Sequence, residues 1–264
     1  MQILMLTDGP SACLDALYRI NDEKNLGLVF GCHQLPKFGD KLLAQFASDY
    51  PKMPMIAIIK DTPVLIKIDN RTVIKSSLNW QALTRRIVTA GRKSELILQA
   101  CKINNTMTVL DGTAGLGHDG LILASTGARL TLCESNPVLA MLLFYEYQLM
   151  MTHKNWPGLL SGIQIVHGDT AVLGGCYDCV YLDPMFPKDS YKAKVNKQMQ
   201  VLHDLVAPPP LDDEIKLFDH AKSLLATTGK LIIKRPILAP YFAGQLPQQS
   251  VKNDVLRFDR YEVH

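Results

Sequence analysis

An α/β fold, a parallel sheet with helices on both faces preceded by a small α+β domain, is predicted by three features of this 264-residue sequence. After Ser77 strand-like runs alternate with longer helical patterns, as they do when crossover helices connect parallel strands. Before that point the pattern is short β-like runs separated by turn residues. Glycine-rich or acidic loops follow successive strands of the second region, and the carboxyl edge of an open α/β sheet is where such folds bind ligands. The expected domains are 1–76 and 77–264. At 47% hydrophobic content the chain can bury a full core, which excludes a disordered protein.

In the first region the β-like runs are Ile3–Leu6, Leu28–Phe30, Met55–Ile59 and Val64–Ile68, and Lys41–Ser48 has helical apolar spacing. Asp8-Gly9-Pro10, Gly39-Asp40, Asp61-Thr62-Pro63 and Asp69-Asn70 are the turn signals between them. In the second region a helix is expected over Leu78–Thr89 and another from a Ser94 cap to about Ala100. Strand Met107–Leu110, helix His118–Ser125, strand Arg129–Cys133, helix Pro137–Met151 and strand Ile163–Val166 follow. Strand Cys179–Leu182, helix Asp212–Ala226, strand Lys230–Lys234 and a terminal strand near Val255–Val263 complete the expectation. Pro208-Pro209-Pro210 is a stiff connector that sets the start of the helix after it.

Lys and Arg total 28 against 25 Asp and Glu, a formal charge of +3, which permits nucleic acid as a partner without demanding it. No run approaches the roughly 18 apolar residues of a membrane span, and Met1–Pro10 lacks the basic start of a secretory signal, so a cytoplasmic protein without membrane contact is expected. Cys176 and Cys179 form a CxxC. Zinc would need a second ligand pair at a suitable spacing, so no metal is expected, and a redox CxxC usually opens a helix, whereas this one runs straight into the strand Cys179–Leu182.

The strand ending at Leu110 runs into Asp111-Gly112-Thr113-Ala114-Gly115-Leu116-Gly117-His118-Asp119. Glycines there allow a tight turn and let a ligand approach backbone N–H groups at a helix start. Similar loops serve dinucleotide enzymes, so this one alone does not fix the cofactor. Glu134 and Ser135 end the next strand, and a carboxylate there can accept from both hydroxyls of a ribose. His167-Gly168-Asp169-Thr170 ends the third, where an Asp can accept from an adenine amino group, although an Asx turn explains the tetrad equally well. Together the three loops point to an adenosine-containing cofactor.

Asp183-Pro184-Met185-Phe186 ends the fourth strand. Pro184 lacks a donor and fixes φ, which can turn the Asp183 carboxylate and neighbouring carbonyls toward an exocyclic NH₂, and Phe186 can stack on a flat base. Such a set suits a planar amine whose lone pair is aimed at an electrophilic methyl group. A hydride-transfer enzyme has no use for it.

The tetrad resembles the (Asp/Asn)-Pro-Pro-aromatic signature of amino-methyltransferases, with Met185 in place of the second proline. Asp111–Asp119, Glu134-Ser135-Asn136-Pro137, Tyr181–Pro187 and Ile233-Lys234-Arg235-Pro236 are similar to the bacterial ribosomal small-subunit methyltransferase J family, from Gly91 to the C-terminus. His118 stands where a basic residue such as Arg is expected. The resemblance implies a class I Rossmann-like methyltransferase sheet, S-adenosyl-L-methionine as cofactor, and methylation of the exocyclic N2 of a guanosine near the 3′ end of 16S rRNA, met naked or in the 30S subunit. It places cofactor contacts on His118, Asp119, Glu134, Ser135, Asp169, Thr170 and Asp183; the glycine loop itself adds Asp111, Gly112, Gly115 and Gly117, and the tetrad's own chemistry puts catalysis on Asp183, Pro184 and Phe186.

Lys188, Lys192, Lys194 and Lys197 cluster after the tetrad, and Lys234 and Arg235 end a neighbouring strand, so these six are the expected phosphate contacts. Adenine in DNA and a protein glutamine amide remain alternative acceptors for the same tetrad. An oxidoreductase explains the glycine loop and Glu134 but not Asp183–Phe186, and a decayed RNA-binding protein would be expected to have lost the tetrad or the glycines.

Overall fold

The computed structural model describes residues 1–35, 39–51, 53–69, 72–186, 201–202 and 205–262. Their contacts sort into two units, counted over described residues: Met1–Asn79 with Asn136–Glu146 and Val195–Ala207, and Trp80–Ser135 with Tyr147–Lys194 and Pro208–His264.

The first unit holds a five-stranded sheet of β1 (Gln2–Thr7), β2 (Val29–Gln34), β3 (Met55–Ile59), β4 (Thr62–Asp69) and β5 (Thr72–Ser77), in the order β2-β1-β3-β4-β5. Strand β1 runs parallel to β2 and β3, and β4 and β5 continue antiparallel. Ile3 to Leu6 are all buried, which accounts for the unbroken apolar run of a strand covered on both faces. Strands β3 and β4 are joined through Lys60 and Asp61 at φ of 51° and 56°, the two positive values a two-residue hairpin turn needs.

Two elements here escaped the sequence reading. Helix α1 (Ala12–Glu23) starts at Ser11, whose Oγ accepts from Leu14 N at 3.1 Å, and it buries Cys13, Leu17 and Ile20, one helical stripe. Ser11 Oγ in turn donates to Asp61 Oδ1 at 2.6 Å, so cap and hairpin hold each other. Strand β5 is the other. Helix α2 (Asp40–Asp49) matches the expected Lys41–Ser48.

The second unit is built on a seven-stranded sheet of β6 (Thr108–Asp111), β7 (Arg129–Glu134), β8 (Ile163–His167), β9 (Tyr177–Leu182), β10 (Leu225–Pro236), β11 (Gln249–Lys252) and β12 (Leu256–Glu262). Its order is β11-β12-β10-β9-β6-β7-β8, parallel from β8 to β10 and antiparallel for β12 and β11. From β6 the chain builds outward through β7 and β8, then returns to add β9 and β10 on the other side. The carboxyl ends of β6 and β9 therefore flank the topological switch point, where a crevice opens above an α/β sheet.

Helices α3 (Thr84–Thr89), α4 (Leu96–Cys101), α5 (His118–Ala124), α6 (Pro137–Met151), α7 (Pro157–Leu160) and α8 (Leu211–Ser223) complete the described regular structure, with three short 3-10 turns. Asn136 Oδ1 caps α6 by accepting from Val138 N and Leu139 N, with Pro137 at the first helical position. Three expectations shift. The Leu78–Thr89 helix is a 3-10 turn over Trp80–Leu83 followed by α3, because buried Trp80 is fixed by donating its indole N–H to Leu116 O at 2.9 Å. Helix α4 takes Glu95 as its cap, while Ser94 Oγ accepts from Gly91 N one turn earlier. Helix α8 stops at Ser223 instead of Ala226, because Leu224 O accepts from Tyr177 N and Leu225 pairs into the sheet. Among the described residues no helix is long and apolar enough to cross a membrane.

Candidate active site

The glycine loop leaves β6 at Asp111 and enters α5 at His118, and the sheet packs tightly against it. A Cβ on Gly112 would stand 2.7 Å from Leu182 Cδ2 and 2.8 Å from Thr170 Cγ2, so any side chain there would have to displace its neighbours in β9 or the loop after β8. Gly112 N donates to Tyr181 O at 2.9 Å, and Thr170 Oγ1 donates to Gly112 O. Gly117, the cap of α5, sits at φ 75°, a left-handed value that glycine adopts without strain. Gly115 N donates to Glu134 Oε2 at 2.7 Å, which ties the loop to the end of β7.

On the other side of the switch point Asp183 follows β9 directly. Its backbone N–H donates to Thr113 Oγ1, and its Oδ2 is 2.8 Å from Lys234 Nζ. The same ammonium lies 2.8 Å from Asp119 Oδ2 on the first turn of α5, and Tyr181 Oη donates to that oxygen at 2.6 Å. Glycine loop, tetrad and β10 thus meet in one polar cluster.

The electrostatics divide these carboxyls. Burial, reinforced by Asp119, pushes the Asp111 carboxyl well above the usual range, and burial raises Asp183 despite the opposing Lys234. Burial also acts to raise Asp119, but the Lys234 charge and its hydrogen bond outweigh it and hold Asp119 below its ordinary value. Burial works against the Lys234 charge, yet the Asp183 and Asp119 carboxylates overcome it and keep the ammonium protonated. Burial lowers His118, which is neutral at neutral pH.

The expected site residues do not all face one ligand. Gly115, Gly117, His118, Asp119, Glu134, Ser135, Asp169 and Asp183 come together at the carboxyl edge, with Ser135 and Asp169 exposed. Asp111 is buried and accepts from Thr113 N, and Thr170 is buried with its hydroxyl on Gly112 O, so both shape the loop from beneath. Phe186 is only 3% exposed, with the Arg235 guanidinium 4.9 Å from its ring centroid; it forms a packed wall rather than an open stacking platform.

Two of the six expected phosphate contacts are placed elsewhere. Lys234 is taken up by Asp119 and Asp183. Arg235 is 2% exposed, donates to Pro240 O at 3.1 Å, and lies 3.5 Å from Glu214 Oε1. Adjacent on β10, the two side chains leave opposite faces of the strand, and each meets carboxylates of the protein there. Lys188, Lys192, Lys194 and Lys197 lie outside the described residues.

Sequence reasoning missed Thr113 and Tyr181. Tyr181 carries a readable signal, a hydroxyl in the apolar second half of β9, two residues before Asp183 and so on the same face. Thr113 carries none beyond its place in the loop.

The donor set fits S-adenosyl-L-methionine. Glu134 ends β7, Asp169 and Asp183 follow β8 and β9, and Asp119 begins α5, while among the described residues Lys234, Arg235 and Arg86 act on these carboxyls, Arg86 being itself clamped by Glu95 at 2.8 Å through two bonds. An acceptor-rich edge suits a ligand bearing a sulfonium, an ammonium, ribose hydroxyls and an adenine amino group. A dinucleotide would bring two phosphate charges into the same carboxylates.

A family model of SAM-dependent methyltransferases, SAM_MT, matches residues 52–263. The chain is 39% identical to the ribosomal RNA small subunit methyltransferase J of Psychrobacter cryohalolentis, over 91% of each chain. It is 36% identical to the same-named protein of Psychrobacter arcticus, over 99% of this chain and 95% of that one. In structure it is similar to a SAM-dependent methyltransferase of Neisseria gonorrhoeae, with TM-score 0.69 and 25% identity over 98% of this chain and 95% of that one.

Proposed function

The chain belongs to the ribosomal RNA small subunit methyltransferase J family, and on that premise we propose that it methylates the exocyclic N2 of a guanosine near the 3′ end of 16S rRNA. It is an S-adenosyl-L-methionine-dependent methyltransferase of small-subunit ribosomal RNA. The observation that carries the finer reading is the Asp183-Pro184-Met185-Phe186 tetrad leaving β9 at the switch point, with its carboxyl beside the glycine loop.

S-adenosyl-L-methionine supplies an electrophilic methyl group. Its adenosine suits the edge formed by Glu134, Ser135 and Asp169, and its amino-acid end suits the loop from Gly115 to Asp119. Asp183 and the Pro184 carbonyl accept the two N–H bonds of the amine, which orients the nitrogen lone pair and stabilises the positive charge that develops on it. An aryl amine becomes strongly acidic as it is methylated, so the proton leaves late, to Asp183 or to water, without a dedicated base. Phe186 bounds the base pocket as a wall backed by Arg235.

Lys188, Lys192, Lys194 and Lys197 follow the tetrad in sequence and supply phosphate contacts in this reading, with 16S rRNA or the 30S subunit as partner and the cytoplasm as the place of work. The test is labelled methyl transfer to naked rRNA and to 30S subunits from cells lacking this protein, followed by nucleoside analysis. N2-methylguanosine is expected. Label on adenosine or on ribosomal protein overturns the acceptor assignment.

A further inference from the structure

We propose that Lys234 is a positioning residue for methyl transfer: its ammonium ties Asp183 to Asp119, so that the tetrad carboxylate is held as an acceptor with Oδ1 offered to the amine. Lys234 Nζ lies 2.8 Å from Asp183 Oδ2 and 2.8 Å from Asp119 Oδ2, and all three side chains are largely buried. Each anchor comes from a different part of the site. Asp119 begins the helix after the glycine loop, Asp183 heads the tetrad, and Lys234 follows Ile233, which pairs with Leu182 across β10 and β9.

The arrangement has a chemical consequence. A carboxylate that must accept an N–H from the substrate has to stay ionised, yet Asp183 is buried beside the Asp119 carboxylate, whose charge opposes its own. One ammonium between the two carboxylates offsets the repulsion and fixes the rotation of Asp183 by occupying Oδ2. Tyr181 Oη, donating to Asp119 at 2.6 Å, fixes the far anchor. Lysine suits the post because its three tetrahedral donors can reach two carboxylates from one point, whereas a planar guanidinium binds one carboxylate in a fork.

The inference rests on Asp183 accepting the amine, and the test separates the two. K234M, K234R and D183N are compared with the wild type for kcat and KM toward rRNA, for the pH profile of kcat, and for thermal melting. K234M is expected to lose ~100-fold in kcat, the scale of a misaligned reacting group. Its KM for rRNA should stay within about twofold, the acid limb of its pH profile should move to higher pH, and K234R should restore part of the loss. Should K234M melt below assay temperature, K234Q takes its place. Unchanged kcat with a raised KM and a weaker salt dependence would make Lys234 a phosphate contact and overturn the inference, as would a kcat loss that follows melting alone with no change in pH profile. If D183N keeps wild-type turnover, the amine-acceptor reading fails and this inference with it; if D183N loses turnover and K234M does not, the inference alone fails.

Discussion

Glu134 Oε2 accepts the backbone N–H of Gly115 at 2.7 Å, so the residue expected to hold the cofactor also sets the shape of the loop that faces it. Replacing the carboxylate therefore removes two things at once. E134A is expected to weaken binding of S-adenosylhomocysteine at least about tenfold, the scale of one charge-assisted hydrogen bond. E134Q should lose less, since an amide oxygen still accepts from Gly115. Calorimetry on both variants checks the order, and equal losses would show that loop anchoring contributes nothing.

Gly112 and Gly168 make a controlled pair. A methyl group at Gly112 collides with Leu182 and Thr170, both buried, whereas one at Gly168 meets nothing within 4 Å. G112A should cost about 1–3 kcal/mol, the usual cost of overpacking, and should impair cofactor binding because relief of the clash moves the loop. G168A should melt within a degree or two of the wild type. Denaturant titration of the two proteins decides it.

Asp111 gives a pH signature. Its folded-state carboxyl is raised well above the ordinary value by burial and by Asp119, so the fold favours the protonated form. That contribution is fully present below the unfolded carboxylate value near about 4 and is lost as pH rises through the folded value. D111N removes the titration while keeping an oxygen able to accept from Thr113 N. The melting temperature of D111N minus that of the wild type should therefore grow as pH rises from about 4, and a flat difference would show that Asp111 ionises normally in the fold.

What was legible in the sequence follows from how locally each feature is determined. The central strands β6, β7 and β9 are mostly buried and read as apolar runs bounded by glycine or acidic loops; Arg129 and Ile163 mark true strand starts and Pro137–Met151 is a helix to the residue. Helix α1 went unread although Ser11, Cys13, Leu17 and Ile20 give a cap and a stripe, because Asp15, Arg19 and Asp22 dilute the apolar signal. The site's backbone was legible because glycines and a proline announce unusual geometry. Side-chain destinations were not: Lys234 and Arg235 read as adjacent surface cations, and only the fold, which sets Asp119 and Asp183 beside one and Glu214 beside the other, shows where each goes. That arrangement is a long-range property of the chain.

Arg235 and the lysines after the tetrad then make opposite predictions in one assay. The guanidinium of Arg235 lies 4.9 Å from the Phe186 ring centroid and 5.4 Å from that of Phe242, and its loss would leave Glu214, 14% exposed at its side chain, without its cation. R235M should therefore cost about 3 kcal/mol of stability, as when one partner of a buried pair is removed, and lower kcat through the loosened wall at Phe186. It should leave the slope of log binding constant against log salt unchanged, because a buried cation displaces no counterions from RNA. Converting Lys188, Lys192, Lys194 and Lys197 together to alanine should leave the melting temperature almost unmoved and reduce that slope by roughly 3, about 0.7 for each single-strand phosphate no longer neutralised. An R235M protein with a reduced slope and unaltered melting would return Arg235 to the RNA-facing role that its position in the sequence first suggested.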